Sequence, residues 1–143
     1  MASAVALGLG GQSVLACTGP GLTQVDEIYP SGHAVPDNIL RLYLYFTAPM
    51  GDGDILPHVT LSRSDGTPVE GIFLANRFGL WSPDRKRLTL LFDPGRVKTG
   101  LAAHDALGRA LSAGESYVLT VDGGAKDADQ CTLARPFSHR FVA

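Results

Sequence analysis

The side chains best suited to proton transfer or metal ligation are four histidines and two cysteines. His33, His58 and His104 fall in loops or at strand ends, and they are the residues a metal ion would have to use. No CxxC, CxxH or His-Glu-x-x-His spacing accompanies them, and four scattered histidines have the pattern of surface residues. His139 alternates with Phe137 and Phe141, which turns it inward, where a backbone carbonyl would satisfy its ring. There is no Gly-x-Ser-x-Gly elbow and no glycine-rich phosphate loop. No catalytic residue and no cofactor is therefore assigned; a small enzyme working through His139 or the loop histidines stays an alternative.

Three other groupings carry charge or hydrogen-bonding capacity. Asp52 and Asp54, with Asp65 and Glu70 in the following hairpin, supply oxygens of the kind calcium takes, but their spacing is not that of an EF-hand and turns recruit Asp and Gly for backbone reasons. Arg41, Tyr43 and Tyr45 share one face of a strand. Rigid amphipathic rings beside a guanidinium are enriched at protein interfaces, and tyrosine is also an ordinary strand former. Arg96 and Lys98 add a cationic edge after an Asp-Pro-Gly turn, placed either to dock a carboxylate or to discourage edge-to-edge pairing.

Net charge is −2, so the basic footprint that phosphate backbones demand is missing and nucleic acid is not the expected partner. No charged residue precedes Asp26. The apolar stretch there is broken by Gly8, Gly10 and Gly11, too short for a membrane-spanning helix and without the basic start of a leader. Residues 1–23 are read as a flexible tail or leader remnant and 24–143 as one domain. Cys17 and Cys131 either pair, which requires an oxidising compartment, or are two unrelated thiols.

These side chains must be positioned by strands. The chain holds 17 glycines and 9 prolines, which punctuate short apolar runs, whereas helical signal is confined to residues 100–112. A strand is predicted around Val25 to Tyr29. In "NILRLYLYFT", Leu40, Leu42, Leu44 and Phe46 take one face and Arg41, Tyr43 and Tyr45 the other, with Pro49, Gly51 and Gly53 ending the run. "HVTLSR", "SDGT" and "PVEGIFLA" predict a hairpin turning at Asp65-Gly66. Leu88, Leu90 and Phe92, then Tyr117, Leu119 and Val121, then Phe137 and Phe141 mark three more strands. The fold class is all-β: an antiparallel sandwich of about seven strands.

The runs "IYPSGHAVPDNILRLYLYFTAPM", "HVTLSRSDGTPVEG", "LWSPDRKRLTLLFDP", "AGESYVLTVDG" and "FSHRFV" together resemble the bacterial Ig-like domains of the surface-layer type, over residues 25–142. Gly114, Tyr117, Leu119 and Val121 carry its Gly-x-x-Tyr-x-Leu-x-Val strand. The resemblance implies a spacer or binding module of a secreted or cell-envelope protein, with a protein or neighbouring domain as partner. Such domains often have an Asp-x-x-Gly turn after that strand, where this chain has Asp127 followed by Gln130 and Cys131. More distantly the chain is similar to the copper-resistance periplasmic sandwich. That likeness implies a copper site from an N-terminal histidine and an Asp-Gly-His, neither of which stands here.

Overall fold

The computed structural model describes residues 17–74, 79–97 and 110–143. Among the described residues seven strands form two antiparallel sheets: β1 (Val25–Tyr29), β2 (Arg41–Phe46), β3 (Val59–Arg63), β4 (Leu80–Trp81), β5 (Arg87–Leu91), β6 (Ser116–Val121) and β7 (Phe137–Val142). One sheet runs β1-β2-β5-β4 and the other β3-β6-β7. A 3-10 turn at Leu56–His58 and one helical turn at Pro94–Val97 complete the described elements. The helix predicted over 100–112 lies almost wholly outside the described residues.

The core is the inner face of each strand. Leu42, Leu44 and Phe46 of β2, Leu88 and Leu90 of β5, Tyr117, Leu119 and Val121 of β6, and Phe141 of β7 are all buried. Alternation accounts for this, since residues two apart point to one side of a pleated strand. Tyr117 keeps its ring in the core because its hydroxyl accepts a hydrogen bond from the Ser112 N–H at 2.7 Å.

Leu40 departs from the expectation: it is 45% exposed. The chain turns at Pro36, whose carbonyl accepts from the Ile39 N–H, and β2 begins only at Arg41, so Ile39 rather than Leu40 packs against the core. The predicted hairpin also departs. Its turn forms, with Gly66 at φ 90°, but the return leg pairs with β3 only near Pro68 and Val69. The chain then crosses to the other sheet, where Asp93 N–H donates to the Ile72 carbonyl and Leu74 N–H to the Leu91 carbonyl. The short strand at Leu80–Trp81 takes the place beside β5 that brings the number to seven.

The segment 17–23 is laid against the connection between β6 and β7. Gly21 N–H donates to Thr132 O and Ala134 N–H to Thr23 O, while Cys17 and Cys131 are joined as a disulfide with Cα atoms 4.8 Å apart. The expected tail boundary at residue 23 thus falls within a paired segment; residues 1–16 lie outside the described ones.

Candidate functional site

Register places side chains from four strands on the outer face of the β1-β2-β5-β4 sheet. Glu27, Tyr45 and Arg87 stand in one row and Tyr29, Tyr43, Thr89 and Leu80 in the next, with Arg41 and Leu91 beyond. Tyr29 is 57% exposed and Leu80 and Arg41 are exposed, while Tyr43, Tyr45 and Leu91 are half-buried. The Tyr29 and Tyr43 ring centroids lie 6.4 Å apart, and the Arg87 guanidinium carbon sits 5.4 Å from the Tyr43 centroid. The result is an aromatic surface edged by Arg41 and Arg87 on the solvent side of a sheet whose inner side already holds a full core.

A bulge where β1 meets β2, between Val25 and Glu27, keeps this alignment: Val25 and Ile28 stay buried while Asp26, Glu27 and Tyr29 face water. The sequence pattern supplied Arg41, Tyr43 and Tyr45. It missed Tyr29, Leu80 and Arg87, although Tyr29 and Arg87 each alternate with a buried neighbour, because strand adjacency is not written along the chain.

A second feature is a cleft of about 390 Å³ at one end of the sandwich, lined among others by Met50, Asp52, Asp54, His58, Trp81 and Lys126. The abrupt end of β2 forms one wall. Arg85, on the turn between β4 and β5, holds that wall: its Nε donates to the Met50 carbonyl at 2.9 Å, its Nη2 to the Gly51 carbonyl, and its guanidinium carbon lies 5.1 Å from the Trp81 ring centroid. Gly51 is required there, since a Cβ would come within 2.9 Å of the Asp127 carbonyl oxygen. On the far side, His58 Nδ1 lies 2.8 Å from Asp122 Oδ1. Burial pushes the Asp122 carboxyl upward, but the Gly124 N–H and His58 outweigh it and hold that carboxyl below the usual carboxylate range.

The connection beneath the cleft is organised by Asp127, which is buried. Its Oδ1 accepts from the Asp129 N–H at 2.9 Å and the Cys131 N–H at 3.0 Å, and its Oδ2 accepts from Thr23 Oγ1 at 2.6 Å. Gln130 stands at φ 66°, so it occupies the left-handed position that an Asp-x-x-Gly turn gives to glycine.

The remaining candidates fall as follows. His33 and His58 lie at opposite ends of β6: the His58 carbonyl accepts from the Asp122 N–H, and the His33 carbonyl accepts from the N–H of Val142, which pairs with Ser116. His33 instead stacks on His139 at 6.1 Å, and His139 Nε2 lies 3.2 Å from the Gly32 carbonyl oxygen. Lys98 and His104 lie outside the described residues. Arg96 is a correction to the cationic edge: it is buried, and its Nη1 donates to the Glu70 and Gly71 carbonyls at 2.8 and 3.3 Å. A guanidinium so placed ties the crossing chain to the turn at Pro94–Val97. Asp54 and Asp65 accept from the Leu56 and Thr67 N–H groups, as turn carboxylates do. Among the described residues no three His, Cys, Asp or Glu side chains are grouped to hold a metal ion.

No protein-family model and no curated protein matches the sequence. Solved structures do. The chain is similar to native α-2-macroglobulin from Escherichia coli, in a crystal structure spanning domains MG0-NIE-MG1, at TM-score 0.51 and 15% identity over 85% of this chain and 32% of that one. It is similar to the S-layer protein rSbsC at TM-score 0.51 and 13% identity, over 86% of this chain and 14% of that one. It is also similar to CopC from Methylosinus trichosporium OB3b at TM-score 0.52 and 14% identity, over 84% of this chain and 91% of that one. The chain thus spans about a third or less of the macroglobulin and S-layer chains. At these identities the likeness shows the fold alone: an antiparallel β-sandwich of the kind found in surface-layer proteins and in CopC.

Proposed function

We propose that this chain is a non-catalytic, Ig-like structural or binding module of a secreted or cell-envelope protein, working through the outer face of its β1-β2-β5-β4 sheet. The observation that carries the reading is the row of Tyr29, Tyr43 and Leu80 beside Tyr45, three tyrosines and a leucine on the solvent side of a sheet whose core is complete. Tyrosine in this setting gives contact area at low entropic cost and a hydroxyl to satisfy when covered. The partner we name is a neighbouring β-sandwich domain offering an apolar sheet face with carboxylates for Arg41 and Arg87. Similar domains that are parts of much longer chains, in the macroglobulin and the S-layer protein, support that choice. The envelope setting is supported by the S-layer likeness and by a disulfide, which persists in oxidising compartments. Among the described residues no helix is long and apolar enough to cross a membrane.

The test is a photo-crosslinking amino acid at Tyr45 in intact cells, with the same group at Thr60 on the other sheet as control. A discrete adduct to another domain is expected from position 45 alone, and the purified adduct domain should bind Tyr45→Thr about 30-fold more weakly, the equivalent of roughly 2 kcal/mol for a hot spot. Equal adducts from both positions, or none from position 45, would refute the reading.

A further inference from the structure

We propose that the Cys17–Cys131 bridge is a redox control on the cleft, setting the position of its Lys126–Gln130 wall. The connections form a single chain of contacts. On one side of residues 126–131 lies the bridged segment, where Thr132 N–H donates to Gly19 O, Gly21 N–H to Thr132 O and Thr23 Oγ1 to Asp127 Oδ2. On the other side lies the wall made by the end of β2, where Gly51 N–H donates to Lys126 O at 3.0 Å and Ala128 N–H to Pro49 O at 2.9 Å. Met50, Gly51, Lys126 and Gln130 all line the cleft, as does Trp81.

The connection also holds a residue that favours movement. Gln130 lies between the pinned Asp127 and the bridged Cys131 in a left-handed conformation, at φ 66°, which a residue with a Cβ adopts only when its surroundings impose it. Cleaving the bridge removes one of those constraints, so the turn has a nearby relaxed state to enter and carries Lys126 and Gln130 with it. A dithiol reductant supplies the chemistry: one thiolate attacks a bridge sulfur, the S–S bond breaks, and its second thiol releases the mixed disulfide. Two electrons and two protons pass to Cys17 and Cys131 as the reductant becomes a disulfide. The sandwich strands do not depend on this segment for pairing, so the change stays local to the cleft.

The experiment compares oxidised and dithiothreitol-reduced protein under native conditions, with thiols counted to confirm two after reduction. Amide exchange should rise at least tenfold at Gly51 and Ala128 while Leu44 and Leu90 are unchanged, and the emission of Trp81, the chain's single tryptophan, should shift. The Cys17→Ser/Cys131→Ser variant should match the reduced protein. Gln130→Gly, which relaxes the turn already in the oxidised state, should shrink the difference on reduction. Three results would overturn the proposal: faster exchange confined to residues 17–23, a uniform rise that includes Leu44 and Leu90, or unfolding on reduction. The first makes the bridge a local tether and the other two make it a staple of the whole fold.

Discussion

Replacing Asp127 by Ala removes one buried carboxylate on which three donors converge, from Thr23, Asp129 and Cys131. Each donor left without its acceptor in a buried site costs about 1–3 kcal/mol, and the losses overlap because the freed turn can relax toward water. The expected destabilisation is therefore about 3–5 kcal/mol, large against a whole-domain stability of roughly 5–15 kcal/mol. Asp127→Asn is the discriminating control. Its amide oxygen still accepts from the two backbone N–H groups and its amide nitrogen can donate to the Thr23 hydroxyl, so chiefly the charge is lost, and about 1–2 kcal/mol is expected. Urea unfolding of the oxidised proteins, followed by circular dichroism, gives both values. If Asp127→Ala unfolds within about 0.5 kcal/mol of wild type, the carboxylate does not organise this connection and the contacts drawn from it are incidental.

Leu44→Ala deletes a side chain with no exposure and should cost about 2–5 kcal/mol, whereas Leu40→Ala, at 45% exposed, should cost under about 1 kcal/mol in the same urea titration; equal costs would mean β2 is wrongly phased. Asp122 has a folded-state pKa below its unfolded value, so its contribution is present above the unfolded pKa and lost as pH falls through the folded one. Asp122→Asn should therefore flatten the fall in melting temperature below about pH 4. The effect is small, about 0.5 kcal/mol or less, because the side chain is more than half exposed and the pair is screened.

What the sequence determined by itself was the fold class and the parity of β2, β5 and β6, because alternation of apolar and polar residues is local and its period is fixed by the pleat. It located the core faces of β2, β5 and β6 and the Arg41, Tyr43, Tyr45 stripe on those grounds, and it read the turn at Asp65-Gly66 from the glycine needed at positive φ. Tertiary structure decided what lies beside what. Tyr29 and Leu80 reach the tyrosine stripe only because β1 and β4 are laid on the sheet at that register, and Arg96 left the surface only because the chain from β3 crosses between the sheets and its carbonyls needed a donor. The same holds for residues 17–23, which carry no strand pattern and no charge. Their order comes from the Asp127 carboxylate and Cys131, more than a hundred residues away, and a contact of that span leaves no periodic trace in the sequence that makes it.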